Sequence, residues 1–107
     1  MMLPKEITVQ ETAAVLNAEN PPRLIDVRQP HEYEIARLEN GELLTQELAN
    51  EMMAWSPETP VIFYCHHGAR SMQAAAYFAQ QGFTNVLSMR GGIAAWAREI
   101  DPSMPTY

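Results

Sequence analysis

The sequence predicts an α/β fold, an open, mostly parallel sheet with helices on both faces. Short apolar runs of strand length alternate along the chain with stretches of helical periodicity. The two strongest runs, Leu24-Ile25-Asp26-Val27 and Val61-Ile62-Phe63-Tyr64, read as buried strands rather than half-exposed ones. No hairpin signal joins one run to the next, so each connection must cross over through a helix, which makes neighbouring strands parallel.

The elements follow in order. Ile7-Thr8-Val9 can start a strand, and Thr8 can cap a helix that runs through Ala13, Ala14 and Leu16 and stops at Asn20-Pro21-Pro22. Leu24 to Val27 is the second strand, ended by Gln29-Pro30, and His31 to Ile35 makes one or two helical turns. Asn40-Gly41 marks a turn before a weak strand at Leu43-Leu44. Gln46 to Trp55 has apolar residues at 48, 49, 52, 53 and 55, a helical spacing that Ser56-Pro57 ends. After Val61 to Tyr64, a helix over Met72 to Gln81 shows Met72, Ala75, Ala76 and Ala79 on one stripe, with Gly82 as its stop. Val86-Leu87 is the last strand. Gly91-Gly92 opens a final helix with Ile93, Ala94, Trp96 and Ala97, and Asp101 to Tyr107 reads as an extended tail. Trp55 and Trp96 are read as core, each on the apolar stripe of its helix.

Size and composition set bounds. The 107 residues suit one domain, 1–107, able to bury roughly two thirds of the unfolded surface. Apolar residues make up 47% and charged ones 19%, the mix of a globular chain rather than a disordered one. No apolar run is long enough to span a membrane, and Met1-Met2-Leu3-Pro4 lacks the ordered regions of a secretory leader. A net charge of −6 argues against nucleic acid, whose phosphates need a basic face. One cysteine cannot form an internal disulfide, which fits a reducing compartment. The expectation is an acidic, cytoplasmic protein with neither a nucleic-acid nor a membrane partner.

That one cysteine is the most informative residue. Cys65 heads the segment Cys65-His66-His67-Gly68-Ala69-Arg70-Ser71, between a strand end and a helix start. In open α/β sheets ligands bind beyond the carboxyl ends of the strands. The following helix directs its free N–H groups and the positive end of its dipole back at the loop. Both effects stabilise a thiolate, and Arg70 adds a permanent positive charge. Gly68 lets the backbone fold back, so that successive N–H groups can face inward as an anion nest. Four residues separate Cys65 from Arg70. Cysteine-dependent phosphatases place five there, a wider cradle for a tetrahedral phosphate. The shorter one suits a single extra sulfur atom on the cysteine.

Three segments stand in order: Asp26-Val27-Arg28-Gln29-Pro30-His31-Glu32-Tyr33, Cys65 to Arg70, and Arg90-Gly91-Gly92-Ile93-Ala94-Ala95-Trp96. Together they resemble the rhodanese family of sulfurtransferase homology domains. The first fits its Asp-Val-Arg, three residues, Glu-aromatic signature, the second its six-residue active-site loop, the third its closing Gly-Gly and tryptophan. The likeness covers nearly the whole chain. It departs at Ala36-Arg37-Leu38-Glu39-Asn40-Gly41, where the family often has Gly-His-Ile-Pro-Gly-Ala, and this leaves the geometry of 36–45 open.

The resemblance implies that Cys65 is the catalytic residue. It would take a sulfane sulfur as a persulfide from thiosulfate or a persulfide donor, and pass it to a thiol or cyanide-like acceptor, small or carried on a protein. Backbone amides from His66 through His67, Gly68 and Ala69 to Ser71 would hold the outer sulfur, and Arg70 would attract an anionic donor. No cofactor is implied. Adjacent His66 and His67 cannot join Cys65 around one tetrahedral metal, since ligands come in spaced pairs. They are expected to shape the pocket mouth, with a proton role near neutral pH. Asp26, Arg28 and Glu32 are expected to be structural support, Asp26 accepting hydrogen bonds near the cysteine loop and Arg28 pairing with Glu32. Rival readings are a phosphatase or arsenate reductase on the same scaffold, a non-enzymatic sulfur-carrier or docking module, and a thiol redox sensor, which would lack a resolving cysteine.

Overall fold

A computed structural model describes residues 5–107; the absence of a leader at Met1 to Pro4 lies outside the described residues. Five strands and five helices alternate: β1 Lys5–Ile7, α1 Val9–Leu16, β2 Arg23–Asp26, α2 Pro30–Ile35, β3 Glu42–Leu43, α3 Gln46–Met52, β4 Val61–Tyr64, α4 Ala69–Gln80, β5 Val86–Met89 and α5 Gly92–Glu99. The sheet order is β1-β5-β4-β2-β3, and every pairing is parallel. The expected α/β class is correct, and β4 lies at the centre.

The central strand shows how the two faces form. Side chains of successive strand residues point to opposite faces. Ile62 and Tyr64 accordingly join one core with Ile7, Leu24, Met89 and Ile93, against which Leu16 of α1 and Trp96 of α5 pack. Val61 and Phe63 join the other with Ile25, Met52 of α3 and Ala75 and Phe78 of α4. There Phe63 stacks on Phe78 at 5.3 Å between ring centroids, and Phe83 meets Phe78 edge-on at 5.7 Å. A strand buried on both sides must be apolar throughout, as Val61 to Tyr64 is.

Several boundaries differ from the sequence reading, each for a local reason. Val9 opens α1 rather than continuing a strand, because Thr8 closes a capping box: its hydroxyl accepts from the Glu11 amide at 3.1 Å, and its own amide donates to Glu11 Oε1 at 2.9 Å. Helix α3 ends at Met52, so Trp55 lies beyond the helix rather than on its stripe. Its ring is half-buried, with the Arg23 guanidinium 4.1 Å above it. Helix α4 starts at Ala69 rather than Met72 and buries Ser71, Ala75 and Phe78, leaving Ala79 exposed. Strand β3 is Glu42–Leu43 rather than Leu43-Leu44, and β5 continues through Met89.

The 36–45 segment is well defined. Leu38 is buried in the first core and its amide donates to the Tyr64 hydroxyl at 3.2 Å. Asn40 takes a left-handed φ of 66° in the turn that Asn40-Gly41 predicts. Residues 101–107 do not run free: Tyr107 returns to the carboxyl end of the sheet and is bonded there. Among the described residues no helix is long and apolar enough to cross a membrane.

Candidate active site

Cys65 directly follows β4, the central strand, and only 1% of its surface is exposed. Its Sγ accepts hydrogen bonds from the Gly68 amide at 3.0 Å and the Ser71 amide at 3.4 Å. Both donors exist because the chain reverses within one short loop. Gly68 is the N-cap of α4 at φ 110°, a conformation side chains rarely adopt, and this aims the first free N–H groups of α4 at the sulfur. Amides so placed stabilise negative charge on sulfur as they would on oxygen.

The loop is also held from behind. The amides of Ile93 and Ala94, free at the start of α5, donate to the Cys65 and His66 carbonyls at 2.8 and 3.0 Å. This contact needs glycine at position 92, since a β-carbon there would overlap both carbonyl oxygens. The third segment of the resemblance therefore buttresses the second. On the sulfur's other side the Cys65 thiol can donate to Ser71 Oγ at 3.6 Å. Ser71 Oγ donates in turn to the Gly68 carbonyl at 3.1 Å and shares a 2.7 Å hydrogen bond with Ser88 Oγ. Ser71 and Ser88 are both fully buried.

Arg70 sits in the first turn of α4. Its Nη1 and Nη2 donate to Glu32 Oε1 and Oε2 at 2.8 and 3.0 Å, with 42% of the arginine side chain exposed against 9% for Glu32. The Glu32 carboxylate also accepts from the Gln29 amide at 2.9 Å and the Tyr107 hydroxyl at 2.9 Å. Arg70 first, then Gln29 and Tyr107, hold the Glu32 carboxyl well below the usual carboxylate range, against the effect of burial. The same pairing raises the Arg70 pKa above its ordinary value.

The expected Arg28–Glu32 pair does not form. Arg28 and Asp26 pair instead, both side chains wholly buried, with Nη2 on Oδ2 at 2.6 Å and Nε on Oδ1 at 2.9 Å. Arg28 reaches Glu32 only at its backbone carbonyl, 3.3 Å away, and also donates to the Ala36 carbonyl at 2.6 Å. Asp26 therefore receives its hydrogen bonds from Arg28, whose amide adds one at 2.9 Å, rather than from the cysteine loop. The Arg28 guanidinium turns to Asp26 at the strand end, while the Glu32 carboxylate turns to the Gln29 amide and to Arg70. Removing one member of such a buried pair costs about 3–5 kcal/mol, because the other charge is left without a counterion.

At the loop mouth the rings of His67, His66 and Tyr107 form a stack, with centroids 4.0 and 4.1 Å apart. Burial, helped by the charges of His67, Arg70 and Arg28 and opposed by Glu32, pushes the His66 imidazole below its ordinary pKa. Tyr107 donates to Glu32 and accepts from Arg28 Nη1 at 2.8 Å. Burial raises its pKa and keeps it a phenol.

Of the residues singled out in the sequence, Gly68 and Ser71 thus reach the sulfur, and His66 and His67 line the mouth. Ala69 is exposed at the start of α4, and Arg70 is at the mouth with its guanidinium on Glu32. Two residues escaped sequence reading. Ser88 is a hydroxyl within the buried run of β5, a signal that goes unnoticed because serine is common. Tyr107 carries no sequence signal, since its partners are distant in the chain. A hollow of about 740 Å³ lies away from the sulfur among Tyr33, Leu38, Trp96 and Met104. A cleft of about 140 Å³ adjoins the loop between His66, His67, Ala97 and Tyr107. The loop places the thiol, and the thiol, not the size of a hollow, marks the site.

Fold and loop together define a protein that presents a cysteine sulfur to an amide nest at the carboxyl end of a parallel sheet. The family described as the rhodanese-like domain matches residues 8–99, and the chain belongs to it. It is 36% identical over 93 residues to the thiosulfate sulfurtransferase GlpE of Pseudoalteromonas translucida, covering 86% of this chain and 88% of that protein. It is 35% identical over 104 residues to the probable adenylyltransferase/sulfurtransferase MoeZ of Mycobacterium tuberculosis, covering 94% of this chain but only 26% of that protein. The crystal structure of a rhodanese-like domain protein from Staphylococcus aureus superposes with a TM-score of 0.77 at 22% identity, covering 96% of this chain and 98% of that one, a likeness of fold.

Proposed function

We propose that the protein is a sulfurtransferase that carries sulfane sulfur on Cys65, with thiosulfate or a persulfide as donor. The observation that supports it most is the cysteine loop itself, with the Gly68 and Ser71 amides on Sγ and four residues between Cys65 and Arg70. With thiosulfate, the Cys65 thiolate attacks the outer, sulfane sulfur. A new S–S bond forms, the S–S bond of thiosulfate breaks, and sulfite leaves with the electron pair. A thiolate or cyanide then attacks the outer sulfur of the persulfide, and the electron pair of that S–S bond returns to Cys65. No net oxidant is consumed, and the two steps share one nucleophile.

The loop amides stabilise the charge on sulfur in both states. Arg70 is half-exposed beside the loop, so its positive charge draws a dianionic donor towards the mouth even while Glu32 holds it. Relatives named as sulfurtransferases favour this reading over a phosphatase or arsenate reductase. The test is thiosulfate:cyanide transfer by the wild type and by Cys65→Ser. The expected result is turnover that the serine variant loses while keeping its fold. Transfer by the folded serine variant would overturn the proposal, because the chain has no other thiol.

A further inference from the structure

The nucleophile is almost wholly enclosed, and what encloses its approach bears on which acceptors it can serve. The mouth of the cysteine loop runs from His66, beside Cys65, to Arg70 in the first turn of α4. Tyr107 is tied to both margins. Its ring lies on His66 at 4.1 Å and 16° between planes, and its hydroxyl donates at 2.9 Å to Glu32, the carboxylate that grips Arg70. The same hydroxyl accepts from Arg28 Nη1 at 2.8 Å, so its donor and an acceptor position are both used. Arg28 is itself fixed by a wholly buried ion pair, which makes it a rigid anchor.

We propose that Tyr107 is a specificity-determining residue: residues 105–107 lie as a strap beside the mouth of the cysteine loop, and Tyr107 latches it across both margins, so that small acceptors reach Cys65 and bulky ones require the strap to open. The word acceptor rests on the sulfurtransferase reading above; the enclosure does not. The cleft of about 140 Å³ between His66, His67, α5 and residues 105–107 shows these last residues seated against the loop. With 1% of Cys65 exposed, a small ion such as cyanide reaches the sulfur with little movement, whereas a protein-borne thiol needs the mouth to open. The latch is also built to release. Tyr107 remains substantially exposed, at 42% of the residue, and its ties are one ring stack and two hydrogen bonds. Hydrogen bonds to charged groups contribute a modest net stabilisation each, so a docking partner that engages the mouth can displace them.

Cys65 is the only thiol, so every alkylation event reports on it. The wild type, Tyr107→Phe and Tyr107→Ala are reacted with iodoacetamide and with fluorescein maleimide, and the ratio of bulky to small reagent rates is taken for each. Both hydrogen bonds go in Tyr107→Phe, whereas Tyr107→Ala removes the stack as well. The expected result is a ratio raised severalfold in Tyr107→Ala and less in Tyr107→Phe, with thermal melts showing both variants folded. A ratio equal to the wild type in both variants would overturn the proposal; should Tyr107→Ala fail to fold, the ratio in Tyr107→Phe alone decides. In parallel, sulfur-loaded wild type and Tyr107→Phe are offered cyanide and a cysteine-containing protein, and the preference for cyanide should narrow in the variant. A wild type that takes up no sulfur from either thiosulfate or a persulfide donor would refute the sulfurtransferase reading, while the alkylation ratio would still decide whether the strap controls access to Cys65.

Discussion

Glu32 shows how much one side chain can organise. Its carboxylate receives Arg70 through both oxygens, the Gln29 amide and the Tyr107 hydroxyl, so it joins α2, the cysteine loop and the strap. Its folded pKa is depressed, so the folded protein resists protonating it. The stabilisation is therefore complete above the ordinary value of 4.5 and is lost as the pH falls below it. Glu32→Gln should flatten the acid limb of a stability–pH curve and cost about 1–3 kcal/mol at pH 7, as lost hydrogen bonds to charged groups do. Urea melts at pH 3 and pH 7 check this; an acid limb as steep as in the wild type would contradict it. Arg70→Ala should raise the KM for thiosulfate more than that for a neutral persulfide donor, because the lost charge acts on the anion. Equal effects on both donors would mean that the Arg70 charge serves Glu32 alone. Arg70→Lys keeps the charge but not the two-pronged grip on Glu32, so it should restore donor affinity more than stability.

At the level of elements, the site is two helix starts facing one loop. Helix α4 supplies amides to the sulfur, and α5 supplies amides to the carbonyls of Cys65 and His66. Gly92→Ala would drive a methyl into those carbonyls, so the loop must shift or α5 must retreat. Sulfur transfer should fall by at least tenfold, and stability by about 1–3 kcal/mol, the usual cost of overpacking. Inserting one glycine between Gly68 and Ala69 would move the Ser71 amide off the sulfur, and transfer should be lost with the sheet intact by circular dichroism. Wild-type transfer in either variant would show that the amide geometry is not what matters. Much at this scale was legible: short apolar runs marked β2, β4 and β5, and Gly91-Gly92 marked the start of α5. The earlier start of α4 was not legible, since Arg70 and Ser71 carry no apolar periodicity; Arg70 is held by Glu32 and the Ser71 amide by the sulfur.

For the whole molecule, the open parallel sheet and the position of Cys65 at its carboxyl edge follow from alternation and spacing, which are local properties of the chain. The partner of each charge was less accessible. The Asp26–Arg28 pair, the capture of Arg70 by Glu32 and the return of Tyr107 over His66 join residues by way of the tertiary fold, and sequence distance says nothing about which carboxylate a guanidinium will meet. The buried pair provides a global test. Arg28→Met should lower stability by about 3–5 kcal/mol by stranding the Asp26 charge, and Asp26→Leu with Arg28→Met should recover part of that loss. Chemical denaturation of the single and double variants measures it, and additive losses would contradict the coupling. The central claim is that Cys65 carries sulfur, and intact-protein mass spectrometry after incubation with thiosulfate tests it most directly. One added sulfur atom, mapped to the peptide holding Cys65, removed by cyanide and absent from Cys65→Ser, is the predicted result; an unchanged mass, or a sulfur retained in the serine variant, would contradict it.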